Sequence, residues 1–246
     1  MKTVMAALQI VLIQGMCMAS PGASHAKDYV VVLHGIARSA GSMQKISDHL
    51  QSHGFEALNL PYPSTDHSLE DLVEKIRAQV NRFNKDKSRK IHFVTYSMGG
   101  LLARGLLNSN RPENLGRVVM LAPPNAGSEA SDFWKDNWLY QKIYGPAGQQ
   151  LTTDQTQVKN LLGNRADYEL GIIAGDRSID PVNSLIIPGP DDGKVSVVNT
   201  RLEGMKAHVV IHATHTFIMN NKEAHRLTIR FLKHGDFNQE SHKGEP

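Results

Sequence analysis

A serine held in the tight link between an apolar run and a helix-forming run constrains this chain more than any other feature. Ile91, Phe93 and Val94 lead into Thr95-Tyr96-Ser97-Met98-Gly99-Gly100, and Leu101, Leu102, Ala103, Leu106 and Leu107 follow without a break. That pattern reads as strand, sharp turn and helix. Such a unit calls for a sheet with a helix folded back onto it. The serine is also chemically placed, because a sharp turn exposes the hydroxyl and the helix behind it aims N–H groups at a developing oxyanion. The plain alternative is a solvated loop serine.

The rest of the chain repeats the same architecture. Tyr29-Val30-Val31-Val32-Leu33 and Val118-Val119-Met120-Leu121-Ala122 are short apolar runs without polar alternation, as expected of strands buried on both faces of a parallel sheet. Phe55 to Leu60, Gly171 to Ala174 and Ala207 to Ile211 add further strands. Between them, Met43, Ile46 and Leu50 keep helical spacing behind a cap at Ser42. Leu69, Leu72, Val73, Ile76 and Val80 do so behind a capping box at Ser68 and Asp71, and Ala224, Leu227 and Phe231 mark a closing helix over about 222–233. Strand and helix in alternation predict an α/β fold with a mostly parallel sheet of about six strands and helices on both faces. The alternation breaks over about 128–168, which holds Trp134, Trp138, Tyr140 and Tyr144 among polar residues and glycines. This stretch is expected to be a partly helical cap or lid, with Trp134, Trp138 and Tyr140 as candidate substrate-binding residues. A long Pro- and Gly-containing loop is expected between the Gly171 and Ala207 strands.

The 246 residues suit one core, expected over 27–234. Lys2, the apolar stretch Val4 to Met18 and small residues up to Ser24-His25-Ala26 have the parts of a secretory signal peptide. The apolar stretch is shorter than the roughly 20 residues a membrane-spanning helix needs. An exported protein, periplasmic or secreted and cleaved near Ala26, is the expectation. Cleavage removes Cys17, the single cysteine, and leaves no disulfide or thiol nucleophile. Residues 235–246 are polar and are expected to be a frayed tail. The net charge of +3 is scattered, without basic runs interleaved with aromatics, so nucleic acid is not an expected partner.

A nucleophilic Ser97 needs a base and an acid on later loops at the carboxyl edge of the sheet. His215 follows the last strand and precedes the last helix. His212 is the runner-up. Asp192, beside Gly193, is the preferred acid for orienting the histidine, with Asp191, Asp180 and Asp176 in competition. The N–H groups of Met98 and of Ile36, after His34-Gly35, are candidate oxyanion donors, and His34 is expected to fix its loop through side-chain hydrogen bonds. His208, His212 and His215 also invite a metal reading, but no carboxylate-rich or HExxH pattern accompanies them, so neither a metal nor another cofactor is expected.

Val31-Val32-Leu33-His34-Gly35, Thr95-Tyr96-Ser97-Met98-Gly99-Gly100, Ala122 to Ser128, Asp192-Gly193-Lys194-Val195-Ser196-Val197 and His215-Thr216-Phe217 together resemble the α/β-hydrolase superfamily, and within it the small bacterial lipases and esterases. The resemblance covers essentially the whole chain after the leader. It implies the α/β-hydrolase fold and serine-ester chemistry with Ser97, His215 and Asp192 in the triad roles. Two departures stand out. Thr95 occupies a place usually held by glycine, and the one or two strands that open longer members are not expected here, because the first recognisable strand starts close to the expected cleavage site. The leading expectation is a hydrolase of carboxylic esters, acting on a small-molecule or lipid ester with transient contact at a lipid interface. An amidase, thioesterase or peptidase with the same triad, and a binding protein without turnover, are the alternatives.

Overall fold

The computed structural model describes residues 26–238. The expected leader, residues 1–26, lies outside the described residues except for Ala26, and the end of the expected tail, 239–246, lies outside them too. Six strands, β1 (Tyr29–Leu33), β2 (Glu56–Leu60), β3 (Ile91–Tyr96), β4 (Leu115–Leu121), β5 (Leu170–Gly175) and β6 (Ala207–Ile211), form one sheet in the order β2-β1-β3-β4-β5-β6. Every neighbouring pair is parallel. Together with its helices this is the α/β-hydrolase fold. β1, β3 and β5 are buried along their whole length, which is why their sequences carry no polar alternation.

Successive residues of a strand point to opposite faces, and the core divides accordingly. Val31, Leu33 and Phe93 pack on one face with Leu72 and Ile76 of α2 (Leu69–Phe83) and Leu102 and Leu106 of α3 (Met98–Ser109). Val30, Val32 and Val94 pack on the other with Ile46 and Leu50 of α1 (Gln44–Ser52) and Leu227 and Phe231 of the closing helix Lys222–His234. The chain runs from β1 outward to β2 and then returns to the other side of β1 to form β3. At such a reversal the loops leaving adjacent strands part to opposite faces, opening a crevice at their carboxyl ends. The loops after β1 and β3, carrying Ile36 and Ser97, flank that crevice.

Several local expectations change. A 3₁₀ turn at Ala40–Met43 leads into α1, and the Ser42 hydroxyl donates to Ser39 O at 2.7 Å instead of capping the helix. Ser68 Oγ does cap α2, accepting from the Asp71 N–H at 3.3 Å, although no return bond from the Asp71 carboxylate completes a box. The stretch 128–168 holds three helices, α4 (Glu129–Trp134), α5 (Trp138–Gln149, broken at Gly145-Pro146) and α6 (Lys159–Leu162). The expected long loop contains a further helix, α7 (Pro181–Ile186), with Asp180 as its side-chain cap and proline at its start. The closing helix is α8. The expected frayed tail begins in order: Asp236 Oδ1 accepts from Arg230 Nε at 3.0 Å, and the Phe237 ring lies 5.0 Å from that of Phe231.

Candidate active site

Ser97 sits between β3 and α3 at φ 52° and ψ −125°, a left-handed conformation that costs a non-glycine residue about 1–3 kcal/mol. The surrounding packing holds it there. A Cβ on Gly99 would lie 2.7 Å from both Leu33 O and His34 O, so only glycine lets α3 press this closely on the end of β1. A Cβ on Gly35 would lie 3.1 Å from Ser97 Cβ, so the loop after β1 meets the serine in the same way.

The Ser97 hydroxyl lies 3.0 Å from His215 Nε2, and His215 Nδ1 lies 2.7 Å from Asp192 Oδ2. His215 stands in the loop after β6, and its backbone N–H donates to Asp192 O at 2.9 Å. The Asp192 side chain is completely buried. Its second oxygen accepts from the N–H groups of Lys194 at 3.0 Å and Val195 at 2.9 Å. These bonds set the carboxylate's orientation independently of the histidine.

The competing acids have other partners. Asp191 accepts from Ser184 Oγ and the Gly193 N–H, Asp180 caps α7 and pairs with Lys194 Nζ at 3.2 Å, and Asp176 faces His212 at 3.1 Å. The histidines that invited a metal reading diverge: His208 Nε2 meets Thr200 Oγ1 at 2.9 Å, His212 meets Asp176, and His215 meets Ser97 and Asp192. Among the described residues no group of three His, Cys, Asp or Glu side chains could hold a metal ion.

The Met98 N–H is the first of α3 and has no acceptor within the helix. The Ile36 N–H has no acceptor among the described residues, and Ile36 shares a cavity with Ser97 and His215. His34 is buried and fixes this loop: Nδ1 donates to Gly35 O at 2.8 Å, and its ring stacks on Tyr62 at 3.9 Å. The Tyr62 hydroxyl donates to His34 O. Burial lowers the pKa of His34, which favours the neutral ring. The contribution of Tyr62 to the site is invisible in the sequence, because it acts across 28 residues of chain.

The cavity at Ser97 has a volume of about 370 Å³. Ile36, Ala130, Leu139, Ile143, Leu151 and Val195 supply apolar wall, while Arg38, Asn137, Asn183 and Lys194 supply polar wall. Trp134 and Tyr140 line it as expected sites of contact, each tethered by its polar atom, Trp134 Nε1 to Asn183 Oδ1 and the Tyr140 hydroxyl to Ser131 Oγ, both at 2.9 Å. Trp138 does not line it. It stands 69% exposed at the start of α5, because the apolar face of that short helix has nothing outside to pack on. Phe133, Trp138, Leu139, Ile143, Val182, Leu185 and Phe217 are exposed large apolar side chains on the elements that wall the cavity.

A larger open depression of about 870 Å³ lies at the other end of the strands. Two of its arginines pair with acids of its wall, Arg117 with Glu169 at 2.5 Å and Arg111 with Asp167, and it holds no nucleophile beside a base.

The family described as palmitoyl protein thioesterase matches residues 29–162. The chain is 26% identical to the lysosomal thioesterase PPT2 of Mus musculus over 211 residues, 73% of this chain and 69% of that protein. It is 30% identical to the lysosomal thioesterase PPT2 homolog of Drosophila melanogaster over 128 residues, 50% of this chain and 44% of that protein. Among solved structures, a lipase of Bacillus licheniformis in its mature form superposes with a TM-score of 0.67 at 21% identity, covering 85% of this chain and 92% of the lipase.

Proposed function

The chain belongs to the palmitoyl protein thioesterase family, and through it to the α/β-hydrolase superfamily, and from that premise we propose that it is a serine acyl hydrolase acting on thioesters, with oxyesters as its second substrate class. The observation that carries the reading is the chain of contacts from Ser97 Oγ to His215 at 3.0 Å and from His215 to Asp192 at 2.7 Å. The sequence alone favours carboxylic esters; the matched family moves thioesters ahead of them.

In this reading Ser97 Oγ attacks the acyl carbonyl carbon while His215 Nε2 takes its proton. Asp192 stabilises the imidazolium that results. The N–H groups of Ile36 and Met98 receive the oxyanion, and collapse of the tetrahedral intermediate expels the thiol or alcohol with a proton returned from His215. Water, deprotonated by the same histidine, then releases the acid and restores Ser97. A thiol has a pKa of about 8.5, so a thiolate leaves with little help from the acid, whereas an alkoxide needs the proton. The same residues thus serve both substrates, and proton delivery limits the oxyester more.

The acyl group would lie along the apolar wall, beneath a cap formed by about 128–168. The exposed apolar side chains around it suit brief contact with a lipid surface. An exported protein is consistent with the leader-like start and with relatives whose names call them lysosomal.

A fluorophosphonate probe tests the nucleophile: wild type is expected to be labelled and Ser97→Ala to be blank. An unlabelled wild type at pH 8 sinks the reading. A chain-length series of matched acyl thioesters and oxyesters, with and without a lipid–water interface, then ranks the substrate classes.

A further inference from the structure

Tyr96 lines the cavity and reaches His215 yet has no role in the chemistry above. It ends β3, directly before Ser97, and its ring is buried. Its hydroxyl donates to the backbone carbonyl of His215 at 2.9 Å, across 119 residues of chain. Its ring lies 5.3 Å from the imidazole, tilted at 45°. On the opposite side the ring fills the space that glycine leaves at position 35, where a Cβ would stand 2.9 Å from Tyr96 Cε1.

We propose that Tyr96 is a positioning residue that sets the imidazole of His215 at bonding distance from Ser97. The inference rests on the serine-hydrolase reading of the site. Apart from the Nε2 contact with Ser97 itself, the other restraints on His215, at its backbone N–H and at Nδ1, both run to Asp192. Asp192 stands on a separate loop, against the end of β5 and not beside Ser97 in the chain. Tyr96 is joined to the serine by one peptide bond, and the sheet fixes both. The histidine is therefore located from two directions: Asp192 sets its rotation, and Tyr96 sets its height over the nucleophile. Burial pushes the tyrosine's pKa up, partly offset by the nearby Arg38 guanidinium, so the hydroxyl stays a donor throughout the working pH range.

Tyr96→Phe keeps the ring and removes the hydroxyl, with its bond to His215 and its contact with the Arg38 guanidinium. Catalytic groups displaced by about 1 Å lose on the order of 100-fold in rate. The expectation is a fall in kcat of about 10- to 100-fold with KM within about twofold of wild type. The fluorophosphonate labelling rate should fall in parallel, and the thermal midpoint should stay close to that of wild type. Tyr29→Phe, a buried tyrosine at the far end of β1, serves as the control and is expected to turn over normally. Unchanged kcat in Tyr96→Phe would overturn the inference. So would a rise in KM at constant kcat, which would make the Tyr96 hydroxyl a substrate contact in the cavity that its residue lines, or an equal loss in Tyr29→Phe. A wild type that is neither labelled nor active would instead bring down the hydrolase reading, and this inference with it. Should Tyr96→Phe not fold, nuclear magnetic resonance of the wild-type protein decides: a slowly exchanging Tyr96 hydroxyl proton coupled to the His215 carbonyl is expected, and a freely exchanging one contradicts the assignment.

Discussion

Asp192 divides its carboxylate between two tasks: Oδ2 meets His215 Nδ1 at 2.7 Å, while Oδ1 is held by the N–H groups of Lys194 and Val195. The acid is oriented by its own loop before any histidine docks against it. That separates its contribution to catalysis from its contribution to folding.

Asp192→Asn should therefore leave a folded protein with the wrong histidine tautomer and a loss of roughly 10³- to 10⁴-fold in kcat. Asp191→Asn should retain most of its turnover, because an amide oxygen can still accept from Ser184 and Gly193. Steady-state rates on one thioester compare the two. Equal losses would mean that the acid has been misassigned.

Acid should destabilise this protein through one buried and one half-buried histidine. Burial holds His92 at a pKa of about 4 against an ordinary 6.5, in part offset by Asp28, and burial also brings His208 to about 4. Between those values the unfolded state binds protons that the folded state refuses, so stability is intact above pH 6.5 and is lost as the pH falls toward 4. Denaturant titrations over pH 4–7 should show that slope. His92→Gln should flatten it by about one proton's worth. An unchanged slope would show that His92 titrates normally.

Thr95 is fully buried and its hydroxyl has no partner among the described residues. Thr95→Val removes the unpaired group at nearly constant shape and should stabilise the fold by about 1 kcal/mol. Thr95→Gly, which installs the residue more usual at that place in an α/β-hydrolase elbow, should be less stable than wild type by about 1 kcal/mol or more through backbone entropy and lost packing. Chemical denaturation of the three proteins gives the order directly.

Trp134 packs into the cavity with its indole N–H tied to Asn183, whereas Trp138 projects outward. For a soluble short-chain substrate, Trp134→Phe should raise KM severalfold and Trp138→Ala should change it less. The reverse order would place the acyl chain on the outer face of α5.

The parts of this molecule legible in its sequence are those set by local pattern. Unalternating runs such as Tyr29–Leu33 marked doubly buried strands, and the spacing of Leu69, Leu72 and Ile76 marked a helix whose buried face is now seen. His34, Ser97 and His215 could be singled out because each follows a recognisable strand, and Asp192 because its long loop leads from one strand to the next; a parallel sheet gathers such loops at one edge. Contacts that depend on distant partners escaped. Nothing near Tyr96 in the chain announces its bond to His215, and nothing in Trp138 distinguishes it from Trp134. For α7 a signal was present in Asp180-Pro181, a capping residue followed by a first-turn proline, but six residues are too few to display a period. Ser42 misled because Ser39 precedes it by one tight turn, and the chain enters α1 through that turn.

The strand order also governs when the site comes into being. Ser97 and His215 stand 118 residues apart, and β6, which delivers the histidine, is an edge strand with little full burial. No growing N-terminal portion of the chain can assemble the three side chains until β6 has joined the sheet. Peeling of that edge would extinguish the site while the central strands remain intact. Turnover by this protein is thus a report on the completion of its fold, more sensitive than any measure of helix or strand content.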